Sequence, residues 1–351
     1  MPGLHELVVG HFPRHSDAYY RWRIASGESR PLDTWSTEDF DNVAVAHDKL
    51  QAHEDAIKLM REKSERFTDD RLYETYANWG TFLIHAGRFK EGLEKVEDAI
   101  RINPDAHFGR EVYQKRLVEY VLLRMRSKKE EIVSLPLSND PIDSFHSFLM
   151  RYEPAASSEA DGKDRKLQAL REEAIRGITG MMRFGNAASP ILLETLGDLL
   201  SPHHDVPDLT HRRLAARCYL RASMLAEGLR TRRLYREKAE TVAAGIEDDS
   251  ILSTIEARLA DELQQADRLT QAIAEKEAAW IKSDADVDAE FQASFLTDPP
   301  LTLVGTRPWI QDHREVKDRP RLTIWVMTSF ACVVISLIMV LRRSKFRSAS
   351  I

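Results

Sequence analysis

Apolar residues recur at helical spacing along most of the chain, and few segments alternate between apolar and polar residues with a period of two. Tyr113, Leu117 and Val121 form one such stripe, because residues four apart lie on the same face of a helix. A longer stripe begins at Leu252 and ends at Trp280. Ala, Leu, Glu and Arg dominate the composition, and these residues favour helix. The pattern therefore predicts an all-α protein.

The clearest unit in the chain is a predicted pair of helices over residues 73 to 106, with a turn that begins at Gly87. The smallest residues stand where the two helices would touch, Gly80 on the first helix and Gly92 on the second. Pro104 ends the second helix, because a proline just past a helix end prevents the helix from continuing. The spacing predicts two antiparallel helices whose backbones approach closely.

This unit resembles a tetratricopeptide (TPR) repeat. Trp79, Gly80 and Ala99 stand at offsets where that family has large or small residues. Leu83 replaces the usual tyrosine, and Gly92 replaces the usual alanine at a cost of about 1 kcal/mol in helix stability. An unrelated helical hairpin is the alternative. Because a TPR unit cannot stand alone, the resemblance implies neighbouring repeats, a superhelix and a protein-binding groove.

A weaker copy of this unit is predicted over residues 37 to 70, which lie 36 positions earlier. The shift places Ala44 and Ala56 where the clearer unit has its two glycines. Ser36 precedes the copy as a predicted N-cap, since acidic residues follow it in the first helical turn.

A third and degenerate copy is predicted near residue 190. Ser189 is its expected N-cap and Pro190 its first helical residue. Residues 214 to 226 form its expected second helix, with Ala215 at the small-residue offset. The turn is stretched, because Gly197 and Ala215 are 18 positions apart, against 12 between the corresponding glycines of the clearer unit.

The TPR resemblance also implies which side chains line the groove, since inner-face residues of each first helix contact the ligand in TPR proteins. The matching positions are Asp41, Val45, Asp48 and Lys49 in the weaker unit and Ala77, Thr81, Ile84 and His85 in the clearer unit. Chaperone-binding TPR domains hold a terminal carboxylate there with a Lys and Asn clamp, from which Asp41 and Val45 depart. An apolar or basic peptide fits better, unless Asp41 and Asp48 only form a solvated helix face.

An uncharged apolar run over residues 322 to 341 is the other strong pattern. Its 20 residues would form a helix of roughly 30 Å, which matches the hydrocarbon thickness of a bilayer. Basic residues bound the run on both sides. The run predicts a single transmembrane helix that contacts the lipid bilayer. A buried core helix is the alternative, but core helices rarely run this long without a polar face.

The orientation of this predicted span depends on the rest of the chain. The first 20 residues lack a signal-peptide pattern, because their apolar run is short and is interrupted by His and Glu. A single span near the end then predicts a tail-anchored protein whose helical domain lies in the cytoplasm. The four basic residues after position 341 argue for the opposite topology under the positive-inside rule.

A long helix is predicted from residue 250 to 283, with Glu262 and Lys276 interrupting its apolar seam. A capping helix, or a hairpin with residues 231 to 246, is favoured over a parallel coiled-coil dimer. The predicted division of the whole chain is an N-terminal capping segment (1–35), TPR-like repeats (36–126), a connecting segment and linker (127–165), a second helical region (166–284), a stalk (285–321), the transmembrane helix (322–341) and a basic tail (342–351).

Charge and motifs narrow the function. The net charge of −6 is spread over interspersed acids and bases, and no basic stripe indicates nucleic acid. Cys218 lies in a predicted helix and Cys332 in the apolar run, so a disulfide is not expected and a reducing compartment is favoured. The chain contains none of the motifs GxGxxG, GxxxxGK[ST] and GxSxG, and we therefore predict no cofactor.

One loop carries metal-ligand residue types. These are His203, His204, Asp205, Asp208 and His211. They lack the spacing of known metal motifs, and histidines in loops are usually only solvated. The sequence therefore favours a non-enzymatic, membrane-anchored TPR scaffold or adaptor that binds a protein or peptide. A metal-dependent enzyme centred on this loop and a purely structural subunit of a membrane complex are the alternatives, and the oligomeric state stays open.

Overall fold

The computed structural model is all-α: its described residues form fourteen α-helices and no strand, as the sequence predicts. The structure describes residues 2–68, 72–104, 106–152, 160–201, 209–244, 246 and 250–296. The helices are α1 (Leu4–Val9), α2 (Asp17–Glu28), α3 (Thr37–Lys49), α4 (His53–Arg66), α5 (Leu72–His85), α6 (Phe89–Ile102), α7 (Arg110–Lys128), α8 (Phe145–Tyr152), α9 (Ala160–Met181), α10 (Pro190–Leu200), α11 (Leu209–Leu225), α12 (Leu229–Ala243), α13 (Ile251–Lys282) and α14 (Val287–Phe295).

Local sequence signals fix several helix ends. Ser36 and Asp39 form a capping box at the start of α3, in which each side chain accepts a hydrogen bond from the other residue's backbone N–H. Ser189 caps α10 by accepting a hydrogen bond from the backbone N–H of Leu192, and Pro190 follows it as the first helical residue. Gly87 ends the α5–α6 hairpin turn with a φ of +77°, a conformation that glycine adopts at low cost.

The backbones of α5 and α6 touch at two glycines, as the spacing predicts. A Cβ atom added at Gly80 would lie 2.9 Å from the backbone nitrogen of Val96 and 3.0 Å from the carbonyl oxygen of Gly92. A Cβ atom added at Gly92 would lie 2.9 Å from the carbonyl oxygen of Gly80. Both positions therefore require a residue without a side chain.

Successive helices pack against one another along the chain, α3 on α4, α4 on α5, α5 on α6 and α6 on α7. After α7 the chain continues through α9, α10, α11 and α12, each of which contacts the one before it. This succession is solenoid-like. One core of buried residues lies between α3, α4 and α5 and includes Phe40 and Ile57, and a larger core runs from α1 and α7 to α13.

The α10–α11 pair forms a hairpin where the third copy is predicted. A Cβ atom added at Gly197 would lie 2.6 Å from Cε1 of Tyr219, which is four residues after Ala215. The clearer unit has its nearest contact at the same offset, because a Cβ atom added at Gly80 would lie 2.7 Å from Cγ2 of Val96, four residues after Gly92.

The long helix α13 packs against α1, α2, α11, α12 and α14. Its apolar seam is therefore covered by helices of the same chain. Glu262, which interrupts the seam in the sequence, is buried and receives two hydrogen bonds from Arg217, at 2.9 and 3.0 Å. Glu277 is also buried, and its two oxygens pair with Nδ1 of His15 and the backbone N–H of Ser16.

The N-terminal aromatics of α2 face this helix and its neighbour rather than α3. Tyr19 stacks on His15 with ring centroids 3.6 Å apart and donates a hydrogen bond of 2.7 Å to Asp288. Phe291 of α14 contacts the other side of His15. The packing of α2 on α3 is made elsewhere, where Gly27 meets Val43.

The chain divides into two units, residues 1–303 and 304–351, and every helix given above belongs to the first. Among the described residues, none of the helices combines the length and the apolar character that crossing a membrane needs. The predicted span at 322–341 lies outside the described residues. The predicted stalk begins with α14, which packs on α13, and the predicted linker ends within α9.

Candidate functional site

The residues that the sequence predicts to line a groove lie on α3 and α5, and the face that they form together with α7 is here called the inner face. Helix α3 contacts α5, and side chains on the three helices form hydrogen bonds from one helix to the next. The predicted residues differ in exposure: Asp48 and Ala77 are buried, His85 is exposed, and the others are half-buried.

Asp41 pairs within the protein. Its Oδ2 atom accepts a hydrogen bond of 2.7 Å from Nζ of Lys63 on α4, whose side chain is fully buried. Its Oδ1 atom accepts a hydrogen bond of 3.1 Å from the side-chain amide of Asn78 on α5. A buried cation needs such a partner, since its desolvation costs several kcal/mol. Asp41 therefore stabilises the packing of α3 on α4 and α5.

Asp48 lies between two imidazole rings. Its Oδ1 atom is 2.8 Å from Nδ1 of His53 and 2.9 Å from Nδ1 of His85, which also lies 3.0 Å from Oδ2. Burial opposes the charged carboxylate, but the hydrogen bonds with His85 and His53 outweigh it and hold the pKa of Asp48 below its usual value. The cluster joins the C-terminal ends of α3 and α5 to the N-terminal end of α4.

Lys49 forms hydrogen bonds with the segment that follows α9. Its Nζ atom donates hydrogen bonds to the carbonyl oxygens of Phe184, at 2.6 Å, and Gly185, at 2.5 Å. Burial lowers the pKa of Lys49 from its usual value. The segment at 184–185 thus covers the inner face at the C-terminal end of α3.

The remaining predicted residues have mainly structural contacts. Thr81 donates to the carbonyl oxygen of Ala77 at 2.8 Å and accepts a hydrogen bond of 3.0 Å from the side-chain amide of Gln114 on α7. Ile84 packs against Gly92, and Val45 packs against the core between α3, α4 and α5. These contacts leave few polar groups of the predicted set without a partner in the protein.

The inner face is open at the N-terminal end of α3. Glu38 and Asn42 are exposed there, and they lie on the same side of the helix as Val45 and Lys49, because residues at intervals of four, three and four share a face. A ligand would therefore reach this end of the face more easily than the end that the 184–185 segment covers.

The sequence does not predict the partners that these residues have within the fold. The shift of 36 positions between the two units aligns His53 with Phe89, which is a packing position. The sequence therefore does not predict that His53 lies beside Asp48. The two residues are five positions apart across a turn, so helical periodicity does not connect them. Lys63, Asn78 and Gln114 were missed for a similar reason, because their partners lie on other helices.

A second buried polar cluster, which the sequence does not indicate, lies on α10. Glu194 accepts hydrogen bonds from the backbone N–H groups of Leu137 and Ser138, at 2.8 and 3.1 Å, and from the hydroxyl of Tyr235, at 2.8 Å. Lys238 lies 2.9 Å from the same carboxylate. All of these groups are satisfied within the fold, so the cluster ties the 137–138 segment to α10 and α12.

The structure does not test the metal-dependent enzyme that the sequence leaves as an alternative. The 203–211 loop lies mostly outside the described residues, apart from its last three, which begin α11. Cys218 is fully buried, and burial raises the pKa of its thiol well above the usual value. A buried thiol of this kind is a small core residue rather than a nucleophile.

Comparisons with protein-family models, with curated proteins and with solved structures gave no match. The functional assignment therefore rests on the residues and their geometry.

Proposed function

We propose that this chain is a TPR-like scaffold that binds a protein partner along the inner face of α3, α5 and α7, at the surface of a membrane. The observation that carries the proposal is the set of hydrogen bonds between successive first helices of the hairpins, Asp41 with Asn78 and Thr81 with Gln114. They hold these helices side by side, so that their inner sides form one continuous surface.

Such a surface is what repeat proteins use for binding, because stacked helical hairpins present an extended face. The carboxylates of Asp41 and Asp48 already have partners within the fold. They therefore give little reason to expect a basic peptide, and the exposed end of the face at Glu38 and Asn42 is the more accessible contact. The proposal of a membrane location rests on the apolar run at 322–341 in the sequence.

Affinity purification of the full-length chain from detergent-solubilised membranes tests this function. We expect a specific protein to co-purify, and the double variant Glu38→Arg/Asn42→Arg to lose it. The matched control is Lys58→Glu/Arg61→Glu, which changes two exposed residues of α4 and should retain the partner. Failure to recover any specific protein, or equal loss in both double variants, would contradict a binding face on α3.

The location is tested separately by fractionation of cells. The wild-type chain should sediment with membranes and resist extraction at high pH, because a transmembrane helix is not released by breaking ionic contacts. A variant with Ala331 and Val334 changed to Arg should become extractable, since a charged residue near the middle of the span is costly. An extractable wild-type chain would remove the membrane part of the proposal.

A further inference from the structure

We propose that Asp48, His53 and His85 form a binding site for one divalent ion of the zinc type, with the two Nδ1 atoms and one carboxylate oxygen as ligands. This site is distinct from the 203–211 loop, and the proposal does not depend on the scaffold function. Two histidines and one carboxylate are a ligand set that zinc uses in proteins.

The geometry supports the proposal. One ligand atom from each of the three residues lies within 4.8 Å of the other two, and both Nδ1 atoms are directed at the carboxylate, at 2.8 and 2.9 Å from Oδ1. Ligand atoms around a tetrahedral zinc ion with bonds of about 2.0–2.1 Å lie about 3.3 Å apart. The distances from the carboxylate oxygen to the two Nδ1 atoms would therefore have to increase by only a few tenths of an ångström.

The three residues come from three helix ends, which fixes their backbones. Asp48 lies in the last turn of α3, His53 is the first residue of α4, and His85 is the last residue of α5. Ligands on packed helices are held more precisely than ligands on loops. Asp48 is buried, whereas the side chain of His85 keeps 34 % of its exposure, so an ion could enter from the His85 side and keep a water ligand there.

The protonation chemistry also permits binding. In the metal-free cluster each Nδ1–H group donates a hydrogen bond to Asp48, because an ionised carboxylate can only accept one. A neutral imidazole carries its one hydrogen on either nitrogen. Transfer of that hydrogen to Nε2 leaves a lone pair on Nδ1 for the ion, and the carboxylate supplies one negative charge.

The adjacent cationic residue, Lys49, does not contact the Asp48 carboxylate. Its ammonium group donates to the carbonyl oxygens of Phe184 and Gly185. The alternative role for the cluster is a metal-free hydrogen-bond network that ties α3, α4 and α5 together. Metal titration separates the two roles.

The test uses the full-length protein in detergent after treatment with a chelator, titrated with Co²⁺ and with Zn²⁺. We expect one equivalent of Co²⁺ to produce a visible absorption band that Zn²⁺ removes. His53→Asn and His85→Asn should each weaken binding by at least about tenfold, because each removes a direct ligand. His47→Asn, a control on α3 whose side chain faces Glu28, and His203→Asn/His204→Asn in the loop should bind as the wild type does.

The proposal is overturned if the wild-type chain binds no stoichiometric Co²⁺, or if binding survives in both cluster variants. Loss of binding only in the loop variant would assign the metal to residues 203–211 instead. A measurement on the wild type guards against unfolded variants: Zn²⁺ should protect His53 and His85, but not His47, from modification by diethylpyrocarbonate. Equal modification with and without Zn²⁺ would also overturn the proposal.

Discussion

Gly80 and Gly92 determine how closely α5 and α6 approach, because each lies against the other's backbone. A methyl group at either position would meet backbone atoms at 2.9–3.0 Å, which cannot be relieved by a side-chain rotation. The close backbone packing that glycine permits therefore outweighs its lower helix propensity. The sequence alone indicates this contact, because the two glycines stand where the helices of the predicted hairpin would touch.

We expect Gly80→Ala to destabilise the protein by about 1–3 kcal/mol, the usual cost of overpacking a core. The control is Gly180→Ala in α9, where the added Cβ atom would lie 3.4 Å from the nearest side-chain atom of Arg110. There the higher helix propensity of alanine should leave the stability unchanged or raise it by up to about 1 kcal/mol. Chemical unfolding measures both variants, and equal stability of the two would contradict the backbone contact.

At the scale of elements, the start of α3 shows what local sequence determines. Ser36 and Asp39 are three positions apart, and the capping box between them needs no other element. Arg30 adds a hydrogen bond of 2.6 Å to the Asp39 carboxylate. The hydrogen bond from Arg30 and those from Ser36 together lower the pKa of Asp39 to about 2.

This shift makes the stability of the protein pH-dependent in a defined direction. Because the pKa of Asp39 is lower in the folded state than the ordinary 3.8, its contribution is complete above about pH 4 and is lost as the pH falls towards 2. The pair is largely exposed to solvent, so its contribution to the free energy of unfolding is small and is screened by salt. Asp39→Asn and Arg30→Met should each flatten the fall in unfolding free energy between pH 4 and pH 2.5, measured by urea unfolding. An unchanged slope in both variants would show that Asp39 is not paired in this way.

Contacts between distant elements are the part that the sequence does not predict. Arg217 and Glu262 are 45 positions apart, and His85 and Asp48 are 37 positions apart. Helical periodicity marks Glu262 as an interruption of an apolar seam, but it does not identify the residue that pairs with it. Its partner depends on how α13 is placed on α11, which is decided by packing over the whole surface of both helices.

At the scale of the whole molecule, α13 joins the two ends of the described helical succession. It contacts α11 near the end of the succession and α1 and α2 at its beginning. Glu262 is central to this arrangement, since its carboxylate lies 3.0 Å from Nε2 of His5 on α1 and also pairs with Arg217 on α11. Three helices far apart in the sequence therefore meet at one buried charge.

We expect Glu262→Gln to destabilise the protein by about 3–5 kcal/mol, because it removes the buried carboxylate charge that pairs with the guanidinium of Arg217. Hydrogen–deuterium exchange should accelerate together in α1, α11 and α13. The control is Glu256→Gln on the same helix, which breaks a more exposed pair with Arg236 and should cost less than about 1 kcal/mol. Faster exchange confined to α13 would contradict the joining role of Glu262.

Site-specific photocrosslinking in membranes tests whether the inner face of α3 contacts a protein partner. A photoreactive amino acid would replace Asn42, which is exposed on that face, or Lys58, which is exposed on α4. We expect illumination to link a specific protein to the chain from position 42 and none from position 58. No specific product from position 42, or the same product from both positions, would contradict it.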